Sequence, residues 1–206
     1  MTTKTTTTPA DRLHYTGDND ADRLLVEEPM ALLIGFALDQ QVSVQKAFSG
    51  PTELKRRIGT LDPLHIAHMD PEELAGVFRA RPALHRYPAA MAQRIKALAA
   101  HVADEYAGDA SRVWTHASDG RDLRARVAAL PGFGEMKVNG MIGVLTKRLG
   151  VRPPGWEEVA PHYPTLGDVD SAAALEEYQA KKRAYKASLR ERGETFDPRS
   201  REMPRR

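Results

Sequence analysis

The chain has 206 residues, 41% of them apolar, with a net charge of +2. That length suits one full domain or two small lobes. The absence of cysteine excludes disulfides, thiolate zinc sites and cysteine-held iron–sulfur clusters, and it suits a reducing, cytoplasmic setting. The longest apolar run, Met30 to Leu38, falls far short of the ~20 residues of a membrane-spanning helix, so no membrane partner is expected.

In chain order, residues 1–17 open with MTTKTTTTPA and read as a disordered threonine-rich leader with no apolar segment of a signal peptide. Pro29 suits the first turn of a helix that buries Leu32, Leu33, Phe36 and Ala37. Pro51 reads as the start of a short helix through Leu54 and Ile58. Asp70, Pro71 and Glu73 read as N-cap, first helical residue and returning acid of the next. Pro88 opens a helix with Met91, Ile95, Leu98 and Val102 at three- and four-residue spacing. Leu123, Val127 and Leu130 share one helix face. Val138, Met141, Ile142, Leu145 and Leu149 share another. A Pro- and Gly-rich loop covers residues 150–167. Asp170 is read as the cap of a last helix ending near Arg190. No run alternates like a strand, so the fold class is all-α. The expected organisation is a leader (1–17), a helical body (18–190) and a basic disordered tail (191–206).

Charge is unevenly spread. Residues 181–206 hold ten Lys/Arg and four Asp/Glu, a net of +6, so residues 1–180 carry −4. Two windows inside this acidic body contain bases and no acid. Residues 79–103 hold Arg79, Arg81, Arg86, Arg94 and Lys96. Residues 136–156 hold Lys137, Lys147, Arg148 and Arg152. Such windows suggest either an anion-binding face or ordinary solvated helix faces.

Between two predicted helices lies LPGFGEMKVNG, residues 130–140. Pro131 sets the turn, and Gly132 and Gly134 are expected to take positive φ and let a ligand approach the backbone. Amide N–H groups of the turn and of the following helix would then face outward, where they can bind a phosphate without reading base sequence.

These residues, Leu130 to Asn139, resemble the helix-hairpin-helix DNA glycosylases of base excision repair. LLIGFALDQQVSVQKAF (32–48) and RYPAAMAQRIKALAAHV (86–102) resemble that family's early and middle helices. The likeness is to the cluster-free members, a small bacterial subgroup among them, and spans about residues 20–190. It implies a two-lobed helical fold bound across double-stranded DNA, one copy per site. It implies that a damaged base is flipped into a pocket, where an acidic residue stabilises the cationic sugar as the N-glycosidic bond breaks. Gly132, Gly134, Gln41 and Ser43 would contact DNA, with Gln41 filling the hole left by the flipped base. Backbone carbonyls of Leu130, Gly132 and Gly134 would hold a monovalent cation.

Two departures from the family pattern bear on chemistry. Bifunctional members place a lysine two residues after the second hairpin glycine, and Met136 stands there. Lys137 is one residue later, turned by roughly 100° on a helix, and is expected to reach solvent or a phosphate. The implied enzyme is therefore monofunctional, like the alkyl-base-removing branch, with Met136 and Trp156 at the pocket. Trp114, Tyr87 and Tyr163 are further aromatic candidates for stacking. The acid is either Asp170, by its Val-Asp-Ser context, or Glu157, by spacing, with Glu158 and Asp168 nearby. The alternative is a non-catalytic DNA-binding protein that keeps the hairpin without the acid.

Overall fold

The structure, a computed structural model, describes residues 9–193. Among these are ten helices and no strand: α1 (Asn19–Glu27), α2 (Pro29–Leu38), α3 (Val44–Ile58), α4 (Pro63–His68), α5 (Pro71–Arg79), α6 (Pro88–Tyr106), α7 (Arg112–Thr115), α8 (Gly120–Ala129), α9 (Glu135–Lys147) and α10 (Ala172–Glu191). Two short 3₁₀ turns, Trp156–Glu158 and Leu166–Asp168, join α9 to α10. The protein is all-α.

Helix α2 is the axis of the molecule. Its sequence is apolar on every side, and every residue from Met30 to Leu38 is buried, not only the predicted face. It lies close against α3 because two glycines meet there. A Cβ on Gly35 would fall 2.6 Å from the Phe48 ring, and one on Gly50 would fall 2.4 Å from Leu38. Phe48 packs edge-on against Phe36 at 5.2 Å and against Tyr15 at 5.0 Å. Buried side chains from α1 through α10 form one continuous cluster among the described residues.

Three boundaries differ from the sequence reading. Helix α3 starts at Val44, capped by Ser43, whose hydroxyl accepts from the Lys46 N–H at 3.2 Å. Pro51 therefore lies inside a helix that it was expected to start, where it withholds one backbone hydrogen bond. Ser171 caps α10 by accepting from the Ala174 N–H, so Asp170 is not the cap. The segment expected as leader is ordered where it is described. Leu13 and Tyr15 are fully buried, and the Tyr15 hydroxyl donates to the Leu166 carbonyl at 2.6 Å. The buried Asp22 carboxylate accepts from the Tyr15 and Thr16 amides and the Thr16 hydroxyl, which closes this segment onto α1. Residues 1–8 and most of the predicted basic tail, 194–206, lie outside the described residues.

Candidate nucleic-acid interface and pocket

The LPGFG segment folds as a tight connection between α8 and α9. The Phe133 N–H donates to the Leu130 carbonyl at 3.1 Å, with Gly132 at φ 82°. Pro at the second position and a positive-φ glycine at the third are the signature of a type II turn. Gly134 behaves otherwise than expected. Its φ is −84°, it caps α9 from an extended conformation, and a Cβ there would meet nothing within 4 Å. Open space in front of the α9 amides, not backbone strain, is therefore what Gly134 provides.

The carbonyls expected to hold a cation also take part in local hydrogen bonding. The Leu130 carbonyl accepts from Phe133, and the Gly134 carbonyl accepts from Lys137 and Val138 along α9. Two of the three carbonyls are thus already engaged in turn and helix.

Arg94 of α6 ties the hairpin to the loop after α2. Its side chain lies against Gly132, where an added Cβ would come within 2.7 Å of it, and its guanidinium donates to the Gln40 side-chain carbonyl. Buried His85 holds the same loop from a second direction. Its Nδ1 accepts from the Tyr87 N–H at 3.1 Å, so its Nε2 carries the proton donated to the Gln40 carbonyl at 3.0 Å. Burial pushes the His85 pKa down, opposed by hydrogen bonding to the backbone of Gln40 and Leu38. Gln41 then stands in a left-handed conformation, φ 56°, rare for a residue with a side chain. Its side-chain oxygen accepts from the exposed Tyr87 hydroxyl at 3.1 Å.

Beside this loop opens a cavity of about 380 Å³. Its walls are Phe36, Asp39, Gln41 and Val42 from the end of α2 and its loop, and Met136, Lys137 and Gly140 from α9. Tyr163 to Leu166, and Tyr178, Lys181, Lys182 and Tyr185 of α10, complete it. Phe36 in this wall lies 6.4 Å from the buried Phe133 ring.

Lys137, expected to reach solvent or a phosphate, is partly buried. It turns inward, donates to the Ala37 carbonyl at 2.8 Å and lies 5.9 Å from the centre of the Phe133 ring. Ala37 is in the last turn of α2, whose carbonyls lack intrahelical partners and favour a cation. Burial lowers the Lys137 pKa to about 8, helped by the charge of Arg94 and opposed by Asp39. Tyr163 and Tyr178 are pushed above the usual phenol range, in both cases chiefly by burial. A hydrogen-bonded chain supports the Tyr163 wall. Arg124 donates to both Glu135 and Asn139, and the Asn139 amide donates to the Tyr163 hydroxyl at 2.8 Å.

The predicted acids lie elsewhere. Glu157 and Asp170 are exposed and outside the cavity. Glu158 pairs with Arg121 at 3.1 Å. Asp168 closes a capping box with Thr165 and pairs with Lys147 at 2.7 Å. The carboxylate in the cavity wall is Asp39, the first residue after α2. Asp39 stands inside the quoted 32–48 stretch, but the partner wall that makes it an acid facing a pocket comes from α9 and α10, far along the chain. Trp156 is likewise outside the cavity, with Arg152 stacked over its ring at 5.0 Å, and Trp114 is buried. Ser43 serves as the α3 cap. Of the named candidates, Gln41, Met136, Lys137 and Tyr163 line one cavity, and Gly132 and Gly134 are outside its lining.

The basic windows are largely absorbed by the fold. Lys96 donates to the carbonyls of Ala67 and Met69, Arg94 to Gln40, and Arg79 pairs with Glu72. In the second window, Lys137 and Lys147 are engaged as above, and Arg152 donates to the Thr146 carbonyl. Comparison with known proteins gives no matching family model, no matching curated protein and no matching solved structure.

Proposed function

We propose that this chain is a monofunctional DNA glycosylase of base excision repair, with Asp39 as the pocket acid in place of Asp170 or Glu157. The observation that carries the reading is the cavity. It has the volume of a small-ligand site, aromatic walls suited to stacking on a base, and one carboxylate, and it opens beside a glycine hairpin whose helix amides face open space. In this scheme α9 amides grip a phosphate and Gln41, already in a strained conformation, enters the stack as the base leaves it. The Asp39 carboxylate then stabilises positive charge on the sugar as the bond to the base breaks and water adds. Lys137 stays on the Ala37 carbonyl and forms no imine.

The test is base release from duplexes carrying uracil, alkylated or oxidised bases, read by alkali-induced strand cleavage. Release from at least one duplex is expected, lowered about 100-fold by Asp39→Asn, with duplex binding kept. Borohydride should trap no protein–DNA adduct. Exposure of both Asp170 and Glu157 favours a second reading, a DNA-binding protein without catalysis. Duplex binding with no release from any substrate would establish that alternative.

A further inference from the structure

The same cavity carries a signal about which bases it accepts, and this inference rests on the base-pocket reading above. An ammonium has three N–H donors, and among the described residues Lys137 donates to the Ala37 carbonyl alone. A partly buried charge with donors to spare, in the wall of a cavity, calls for an acceptor. Two more ammonium groups, Lys181 and Lys182 of α10, stand in the same lining against the single carboxylate Asp39. Lys181 is paired with Glu177 at 2.5 Å, which leaves Lys137 and Lys182 as the lining lysines without an ion pair among the described residues.

We propose that Lys137 is a specificity-determining residue that donates to a carbonyl oxygen of the flipped base. The substrates are then neutral, carbonyl-bearing bases such as deaminated or oxidised pyrimidines, and cationic alkylated bases are excluded. Aromatic walls alone would favour a cationic base. Here Lys182 already lies over the Tyr178 ring at 5.5 Å, and the lysines of the lining outnumber its one carboxylate, Asp39, so a cationic base meets net repulsion. This separates the chain from the alkyl-base-removing branch that Met136 suggests.

The experiment measures binding of the full chain to duplexes made resistant to base release by 2′-fluoro sugars. They carry uracil (neutral, two carbonyls), 7-methylguanine (a carbonyl plus positive charge), ethenoadenine (neutral, no carbonyl) or no lesion, at about pH 6.5. Uracil should bind about tenfold tighter than either other lesion. Lys137→Met, which keeps a long unbranched side chain, should bring all three within about threefold, and Lys137→Arg should restore the bias against 7-methylguanine. A wild type that prefers 7-methylguanine, a Lys137→Met variant that keeps the tenfold ratio, or a borohydride-trapped adduct on Lys137 would each overturn the proposal. If lesions bind better than the unmodified duplex but the cationic one leads, only this inference falls. If no lesion differs from the unmodified duplex, the base-pocket reading falls with it.

Discussion

The two ends of α2 obey opposite rules. Along its length it meets α3 through Gly35, Gly50 and Phe48, with no polar group and no room for a methyl group. Past Leu38 the same chain becomes Asp39-Gln40-Gln41, with a carboxylate and a positive-φ glutamine facing a cavity. The first region is built for stability, since close apolar packing is where large contributions arise. The second holds an acid, a lysine of lowered pKa and a strained residue, none of which stabilises a fold by itself. Chemistry is held in place here by a core that does not share its composition.

That contrast can be broken by mutation. The largest effect is expected in the seam: Phe48→Ala should cost about 4 kcal/mol, seen as a lower denaturant midpoint. A loss under 1 kcal/mol would mean the α2–α3 contact is not the stabilising one.

In the pocket the sign reverses. A lysine shifted from 10.5 to about 8 disfavours the folded state while charged in both states. Lys137→Met should therefore raise stability near neutral pH by about 1–2 kcal/mol, allowing for the lost bond to Ala37 and partial exposure. The folded protein releases that proton near pH 8 and the unfolded chain near 10.5, so wild-type stability should rise across this window. The variant should lack the rise. A wild-type curve falling from pH 8 to 10 at position 137 would contradict the inward placement.

Gly134→Ala sharpens the difference between folding and binding. With no atom near the added Cβ and φ at −84°, stability should change by no more than about 0.5 kcal/mol. Duplex affinity should nevertheless fall several-fold, because the methyl group stands where a phosphate would approach. Unchanged affinity would remove the hairpin from the interface.

The smallest effect concerns His85. Its pKa is lowered on folding, so the neutral form is the folded one, and its contribution is present above the unfolded value of about 6.5. Stability should decline modestly as pH drops below that point, and a variant with Gln at position 85 should show a flatter curve. The same drop should loosen the Gln40 loop, detectable as faster amide exchange at Gln41.

The helices were legible where periodicity and proline agreed: α5 begins at Asp70-Pro71, α6 at Pro88, and Val138, Met141, Ile142 and Leu145 of the predicted α9 face are buried, within a longer buried run. Asp18 caps a helix that went unread and Ser43 one read only from Pro51 onward, because their apolar faces are short or run through a proline. The site was legible in part. LPGFG announced a turn, and the turn is there. The acid was sought near α10 because context was read along the chain, whereas a pocket is lined across it.

By itself, then, the sequence determined an all-helical chain, a central apolar helix and a proline–glycine hairpin ahead of α9, since each follows from local backbone preference and helical period. Only the tertiary structure decided that Asp39 and not Asp170 or Glu157 lines the cavity, and that Lys137 turns inward to Ala37. A helix fixes the angle between neighbouring side chains, but which direction is inside depends on the helices packed around it.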